Sequence, residues 1–217
     1  INRRLGINIY RWIRILNKFY LKIEKVLFNR KKLFVTDMSQ NNQKKAKKII
    51  EKKYKIAAVL FPLIEKNNNI NVILTTRSKD VGSHPGQVCF PGGKLEKKDK
   101  NLINCAKREA FEEVGIKEEQ VKILGEIDEC ITGTNYQVTP IVASISSNYI
   151  PRIQLSEVED LFEVPLDFFF DKKNLKRKNA EYKGKSYSYY QYDWKDKKIW
   201  GSTARMIVNF CEIMKLY

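Results

Sequence analysis

Three glutamates, Glu109, Glu112 and Glu113, carry the clearest chemical signal in the sequence. Their positions at i, i+3 and i+4 place the three carboxylates on one face of a helix. Like charges held so close together destabilise a helix unless a cation joins them. Hard divalent ions such as Mg2+ take oxygen ligands of this kind. The spacing therefore predicts a divalent metal site on this helix.

The residues that flank this helix support the same interpretation. Gly92 and Gly93 allow the backbone to turn sharply, and they leave the Gly92 carbonyl free as a further candidate metal ligand. Gly115 is expected to end the helix, and Arg108 immediately precedes the first glutamate. The alternative is an ordinary Glu-rich, solvated helix face, and the Gly-Gly entry together with Arg108 argues against it.

The stretch from Gly93 to Gly115 resembles the Nudix box, which reads Gly, five residues, Glu, seven residues, then Arg-Glu-x-x-Glu-Glu-x-Gly. Asp99 stands where the box has its first Glu, and eight residues (100–107) separate it from Arg108. The resemblance implies an α/β fold, the Nudix α/β/α sandwich with a mixed β-sheet. It also implies phosphoanhydride hydrolysis with Mg2+ or Mn2+ as the metal.

A narrower resemblance lies upstream of the box. The run Leu74–Ser78, with His84–Gln87 and Phe90–Gly93 after it, resembles a segment of the Nudix hydrolases of coenzyme A. That segment reads LLTxRS, a short loop with an Arg, then Gly-Gln and FPGG. This chain has Gly82 where the family usually has the Arg, which removes one implied phosphate contact. The long spacer after Asp99 and the C-terminal run 199–204 also resemble the coenzyme A members.

The resemblance implies roles in metal binding and catalysis. Glu109, Glu112, Glu113 and the Gly92 carbonyl are the implied metal ligands. Arg108 is implied to orient the glutamates by ion pairing. A loop acid outside the box often serves as general base in Nudix enzymes, and Glu157 is the candidate, with a plain solvent-exposed acid as the equal alternative. The candidate catalytic residues are therefore Glu112, Glu113, Arg108 and Glu157.

Four residues upstream of the box are candidates for substrate binding: Arg77, Ser78, His84 and Gln87. Arg77 offers a planar fork of donors that suits phosphate oxygens. His84 is the only histidine, and its position before the metal site would let it touch substrate. A structural role is the alternative for His84.

The predicted reaction splits the diphosphate bond of coenzyme A, or of its acyl derivatives, into 3′,5′-ADP and 4′-phosphopantetheine. One alternative is a Nudix hydrolase of another nucleoside diphosphate, such as ADP-ribose, a dinucleoside polyphosphate or an RNA cap. Another is a binding module that keeps the fold without turnover. Clustered carboxylates argue against that module, because they would be costly to retain without a metal.

Charge is unevenly distributed along the 217 residues, whose formal net charge is +16. Residues 1–50 contain 14 basic and 2 acidic residues, whereas the remainder contains 27 basic and 23 acidic residues. The predicted catalytic part is therefore nearly balanced. A nucleic-acid enzyme would more often carry its charge around the active site. We therefore expect a small-molecule nucleotide substrate and no nucleic-acid partner.

Residues 7–28 repeat apolar residues at helical spacing, with basic residues on the other side. Such a helix can lie on an anionic membrane or act as an organelle transit sequence. The alternative is a helix that packs on the domain through its apolar face. We expect residues 1–45 to form a basic extension and linker that is dispensable for catalysis, and residues 46–217 to form the hydrolase domain. Residues 44–53 are expected to include a short helix.

Cysteine usage favours an intracellular protein. The four cysteines are widely spaced and show no zinc-binding spacing, which is typical of reduced, mostly buried residues. We expect a mitochondrial or other organellar location if the N-terminal helix is a targeting signal, and a cytoplasmic one otherwise. The chain begins at Ile1 rather than Met, so we expect the natural N-terminus to lie upstream.

The rest of the chain predicts mainly strands, at residues 54–63, 71–76, 121–127, 136–144 and 186–194. A turn at 66–69 is expected to join the first two. Residues 171–185 are predicted to be a basic loop, either solvated or facing the 3′-phosphate of coenzyme A. The last helix is expected to run to about Leu216, with Ser202 or Thr203 as its cap.

Overall fold

The computed structural model describes residues 17–36, 54–82, 84–182 and 185–215. Its helices are α1 (described over 17–28), α2 (Leu102–Val114), α3 (Leu166–Phe170) and α4 (Gly201–Lys215). Its strands are β1 (Phe34–Thr36), β2 (Lys55–Lys66), β3 (Asn69–Arg77), β4 (Val88–Cys89), β5 (Gly92–Lys94), β6 (Val121–Glu126), β7 (Glu129–Ile131), β8 (Tyr136–Ile145), β9 (Val158–Pro165), β10 (Leu175–Tyr182), β11 (Lys185–Trp194) and β12 (Lys197–Trp200). None of the helices in these ranges has the length and apolar character needed to cross a bilayer.

The main sheet is mixed, as the sequence predicts. Its strands follow the order β1-β7-β8-β2-β3-β4, and β5, β6 and β9 pair with β2, β8 and β3 respectively. The long central strands β2 and β8 run parallel, whereas β2 and β3 form an antiparallel hairpin. Asn67 and Asn68, with φ of 52° and 61°, form the predicted tight turn of that hairpin. This turn sets the register that brings the end of β3 beside β4 and β9.

Helices cover both faces of the main sheet, which confirms the α/β/α sandwich. On one face α2 buries Cys105, Ala106 and Ala110 against β2 and β8, and these small side chains let the helix lie close to the strands. On the other face Phe210 of α4 packs on Phe61, with 4.9 Å between ring centroids. Because α2 carries the three glutamates, its close packing fixes their position relative to β2.

The N-terminal segment packs on the domain in its described part. Ile23, Val26 and Leu27 of α1 are buried in the same cluster as α4. Leu27 lies so close to Gly125 that a Cβ there would meet the Leu27 Cβ at 2.6 Å. After α1 the chain adds β1 to the edge of the main sheet, parallel to β7. Residues 17–36 thus follow the packing alternative, whereas the predicted boundary between residues 45 and 46 and the helix at 44–53 lie outside the described residues.

A second sheet of three antiparallel strands, β10-β11-β12, corrects one prediction. The predicted basic loop over 171–185 is wrong, because residues 175–182 form β10. Lysines of β10 lie opposite aromatic and polar residues of β11, and these cross-strand pairs stabilise the strand. The basic composition of the segment did not indicate a strand. The strand predicted at 186–194 is confirmed as β11. The predicted cap by Thr203 is also wrong, since its hydroxyl donates to the Val88 carbonyl at 3.0 Å.

Candidate active site

Both ends of α2 are stabilised locally. Asn101 begins the helix, and its side-chain oxygen accepts a hydrogen bond from the Asn104 amide at 2.9 Å. Gly115 ends it in the left-handed conformation, with φ of 76°, and donates to carbonyls of the last turn. The helix that the sequence predicts therefore begins and ends at defined residues, so its glutamates have a fixed orientation toward β5.

Gly92 and Gly93 are required by close approach rather than by a turn. They belong to strand β5, and neither has a positive φ, so the predicted sharp turn is wrong. A Cβ on Gly93 would meet the Glu109 carboxylate at 2.4 Å, and one on Gly92 would meet the Ala58 carbonyl at 2.5 Å. The amide of Gly92 donates to Glu113 at 3.2 Å. The two glycines thus let backbone and carboxylates share a narrow space.

Arg108 holds most of the acids around it in place. It donates two hydrogen bonds to Asp99, at 2.8 and 2.9 Å, in a bidentate pair. It also donates to Glu109 and Glu112, at 2.8 Å each. The hydrogen bonds from Arg108 lower the pKa of Asp99 to about 2, and those acids raise the pKa of Arg108. The predicted orienting role of Arg108 therefore has a geometric basis. Asp99 accepts two of the guanidinium hydrogen bonds, whereas Glu109 and Glu112 accept one each.

Asp99 is a site residue whose role sequence reasoning did not assign. Its side chain is 3% exposed, and its carboxylate also accepts from the Glu96 amide at 2.9 Å. It ties the loop before α2 to the helix through Arg108. The sequence signal for this role is that Asp99 and Arg108, which have opposite charges, flank the spacer of residues 100–107.

Glu113 is buried with its charge only partly compensated. The residue is 2% exposed, and burial raises the pKa of its carboxyl to about 8. Glu109 and Glu157 raise that pKa further, whereas the Gly92 amide and Arg77 lower it. Burial likewise raises the pKa of Glu109, with Arg108 opposing the shift. The fold therefore brings Glu109, Glu113, Glu157 and Arg77 into one electrostatic neighbourhood.

These residues fit a divalent cation as a set of oxygen donors with excess negative charge. In the described ranges, no three acidic, histidine or cysteine side chains converge on one metal-sized point. The reason is visible in the contacts, because Arg108 holds Glu109 and Glu112 while Glu113 turns to the Gly92 amide. Glu112 is half-exposed and also lies 3.5 Å from the Lys98 ammonium. The donor chemistry is that of a Mg2+ or Mn2+ site, and the ligand roles of the three glutamates and of the Gly92 carbonyl stay predictions.

The predicted substrate-binding residues lie on one closed loop between β3 and β4. The Arg77 amide donates to the Gln87 carbonyl at 3.0 Å, and the Gly86 amide donates back to Arg77 at 3.1 Å. Ser78 is buried at the base of the loop, where its amide donates to the Glu157 carbonyl at 2.9 Å. This contact ties the loop to the candidate general base. The loop therefore begins beside the carboxylates, at Arg77.

His84 lies away from the loop base, whereas the Gln87 backbone belongs to it. His84 is exposed with a positive φ of 56°, and its Nδ1 lies 3.1 Å from the Gln87 side-chain oxygen. This bond joins the two candidates to each other. Gly82, where the resembling family has Arg, is surrounded by open space. The substrate roles of Arg77, Ser78, His84 and Gln87 stay predictions.

Comparison with known proteins adds independent support. A sequence profile described as "NUDIX domain" matches residues 53–185. An uncharacterised Nudix hydrolase, NudL, of Photorhabdus laumondii is 38% identical over 151 residues, covering 70% of this chain and 80% of that protein. The Arabidopsis thaliana protein named Nudix hydrolase 15, mitochondrial, is 32% identical, over 74% of this chain and 59% of its own length. The mouse peroxisomal coenzyme A diphosphatase NUDT7 is 31% identical, over 70% of this chain and 66% of its own length.

Proposed function

The chain belongs to the Nudix hydrolase family, and we propose that it hydrolyses the diphosphate bond of coenzyme A or of its acyl derivatives. The observation that carries this proposal is the loop from Arg77 to Gln87, closed at its base beside the buried Glu113. This loop contains the segment that resembles the coenzyme A members of the family. The interaction of Arg77 with Glu113 supports a substrate that would contact both the loop and the carboxylates.

Each residue at the base of the site has a proposed task. Glu109, Glu112, Glu113 and the Gly92 carbonyl would hold Mg2+ or Mn2+, which polarises a phosphate and lowers the pKa of a bound water. Arg108 keeps Glu109 and Glu112 in one orientation through its hydrogen bonds. Arg77, which lowers the pKa of Glu113, presents its positive charge to the same space and would bind a substrate phosphate.

Glu157 is the proposed general base. It is exposed, follows a loop anchored on Ser78, and lies near enough to Glu109 and Glu113 to raise the pKa of both. An exposed carboxylate next to the carboxylate cluster is well placed to accept the proton of the attacking water. The products would be 3′,5′-ADP and 4′-phosphopantetheine.

The partner and the location are also proposals. The substrate is a small nucleotide, in keeping with the family. Two relatives carry mitochondrial and peroxisomal in their names, which supports an intracellular enzyme without choosing a compartment. Contact of the N-terminal helix with a membrane stays a prediction, and residues 7–16 of that helix lie outside the described residues.

A substrate panel tests the proposed reaction. Coenzyme A, acetyl-coenzyme A, ADP-ribose, diadenosine tetraphosphate and capped RNA are compared at saturating Mg2+, with product identification by mass. We expect coenzyme A or its acyl form to have the highest kcat/KM and to release 3′,5′-ADP. A tenfold higher kcat/KM for ADP-ribose would overturn the proposal in favour of another nucleoside diphosphate. No turnover of any substrate with either metal would favour a binding module.

A further inference from the structure

The outer face of the small sheet combines a partly buried tyrosine and an exposed tryptophan with exposed lysines. Strand alternation places Tyr189 of β11 on this face and Tyr192 on the buried face. Trp200 of β12 is on the outer face and is 41% exposed. The rings of Tyr189 and Trp200 meet edge to face, with 5.5 Å between centroids. The result is an aromatic pair on the outer face, with Trp200 as its exposed member.

Cations lie beside this aromatic pair. Lys178 of β10 is the direct cross-strand partner of Tyr189, about 5 Å away between backbones. Lys176, on the same face, is paired with Asp193 at 2.6 Å. Lys178 is exposed and makes no ion pair with a carboxylate of the described residues. An ammonium opposite Tyr189, with Trp200 on the next strand of the same face, matches a ligand that joins an aromatic base to a phosphate.

The small sheet adjoins the predicted substrate loop. The Thr203 hydroxyl, three residues after Trp200, donates to the Val88 carbonyl directly after Gln87. At the other end of β12, Lys197 forms an ion pair with Asp160 at 2.7 Å, and Asp160 pairs with Thr76 next to Arg77. The small sheet is thus connected, through β12 and the start of α4, to β4 and β9, the two strands that pair with the Arg77 end of β3.

We propose that this face, defined by Lys178, Tyr189 and Trp200, binds the adenosine 3′-phosphate end of the substrate. The adenine stacks on the Tyr189–Trp200 pair, and Lys178 contacts the 3′-phosphate. The inference rests on the proposed function, because it assumes a substrate with a purine nucleotide that carries a phosphate beyond the diphosphate. It supplies a phosphate contact in a chain that has Gly82 instead of the family Arg.

Kinetics with two substrates test the two halves of this surface separately. Stacking of one base on an aromatic side chain is typically worth enough to change affinity about tenfold or more. Trp200→Ala should raise KM about tenfold for both coenzyme A and dephospho-coenzyme A, with kcat little changed. Lys178→Ala should raise KM several-fold for coenzyme A and leave dephospho-coenzyme A unchanged. Lys173→Ala is the matched control, an exposed lysine outside the face, and should leave both unchanged.

Binding without turnover separates this proposal from the proposed reaction. The chain has three tryptophans, so titration with 3′,5′-ADP can be followed by fluorescence. We expect quenching in the wild type, loss of it in Trp200→Phe, and weaker binding in Lys178→Ala. If the protein shows this quenching but does not cleave coenzyme A, the proposed binding surface stands and the proposed reaction is wrong.

Three results would contradict the proposed binding role of this face. One is an unchanged KM in Trp200→Ala and Lys178→Ala. Another is 3′,5′-ADP quenching that survives in Trp200→Phe. The last is tighter binding of a single-stranded oligonucleotide than of 3′,5′-ADP, which would assign the face to nucleic acid. If Trp200→Ala fails to fold by circular dichroism, Trp200→Phe and Lys178→Ala still decide the question.

Discussion

Two buried acids on opposite faces of the main sheet have very different surroundings. Asp128, beside α4, accepts hydrogen bonds from the Arg30 guanidinium, from the Leu33 amide at 2.7 Å and from the Asn209 side chain at 2.8 Å. Glu113, beside β5, accepts from the Gly92 amide at 3.2 Å, and burial raises its pKa to about 8. Both residues are almost fully buried.

The difference separates a structural acid from one that needs an outside partner. The chain supplies both a cation and neutral donors for Asp128, so that site is complete in the folded protein. Around Glu113 the nearest charges are largely other carboxylates, which oppose its ionisation. A buried carboxylate in that condition is stable as an anion only when a cation joins it. Asp128 therefore holds the N-terminal segment through contacts within the chain, whereas metal binding by Glu113 is a prediction that its partly compensated charge supports.

Removal of the N-terminal segment should have the largest effect on stability. A chain that starts at Gln43 lacks Ile23, Val26 and Leu27 in the core and lacks the Arg30 cation beside Asp128. Burial of each apolar side chain is worth about 2 kcal/mol, so the loss should reach several kcal/mol. Urea unfolding followed by circular dichroism measures it. If the truncated protein were as stable and as active as the full chain, the N-terminal segment would be a dispensable extension.

Substitution of Asp128, whose charge the chain itself neutralises, should have the next largest effect on stability. Asp128→Ala leaves Arg30 buried without its counter-charge, and we expect a loss of about 3–5 kcal/mol in the free energy of unfolding. The variant should keep near-normal kcat at low temperature, because Asp128 is not among the active-site residues. Glu126→Gln is the control, since its partner Lys32 is about half exposed, and should cost less than about 1 kcal/mol.

Neutralising Glu113, whose charge the chain compensates only in part, should lower activity rather than stability. Glu113→Gln keeps the shape but removes an anionic metal ligand, and we expect kcat to fall by more than about 100-fold. Its metal-free stability at neutral pH should equal or exceed that of the wild type, because a neutral amide avoids the cost of taking up a proton on a carboxyl whose pKa is raised to about 8. Glu118→Gln, an exposed glutamate, is the control. Near-wild-type turnover at saturating Mg2+ would reject the assignment of Glu113.

The orienting arginine should respond to loss of its main partner. Asp99→Asn removes an anion that holds Arg108 through two hydrogen bonds. We expect kcat to fall about tenfold, since supporting contacts of metal ligands typically contribute on this scale. The depressed pKa of Asp99, about 2, also means that its contribution to stability is present above about pH 4 and lost as the pH falls toward 2. An acid titration of the variant should lack that part of the loss.

The smallest effect is expected at the surface of the N-terminal segment. Lys122→Ala removes an ion pair with Glu24 of α1, 2.7 Å long, between partly exposed side chains. Exposed pairs of this kind contribute less than about 1 kcal/mol. Thermal unfolding should show a small shift beside that of Asp128→Ala. An equal shift in the two variants would mean that the surface pair, not the buried network, holds α1 in place.

Local sequence patterns determined a large part of the fold and the site. Glutamate spacing with Gly115 at the C-terminal end was enough to predict α2, because helical periodicity and a glycine end are local properties. The Asn101 cap at its other end came from the structure. Apolar runs predicted strands β2, β3, β6, β8 and β11 for the same reason. The resemblance of Gly93 to Gly115 to the Nudix box was enough to predict the family.

Tertiary structure decided what depends on distant partners. Strands β1 and β7 have three residues each, too short for any periodicity to reveal, and they form because β7 pairs with β8 and β1 pairs with β7. The basic segment at 175–182 became a strand because β11 lies beside it. The sequence favoured a membrane or targeting role for α1 and left packing on the core as the alternative, and the burial of Ile23 and Leu27 shows core packing in residues 17–36.

The two acids make the same point at the level of single residues. Nothing in the sequence around Asp128 indicates a buried network, because Arg30 and Asn209 are 98 and 81 residues away from it along the chain. Nothing around Glu113 indicates that Gly92, 21 residues upstream, provides an amide donor. Sequence determines which residues can carry charge on one face of a helix. Only folding decides which of those charges the chain itself neutralises and which it leaves for a ligand.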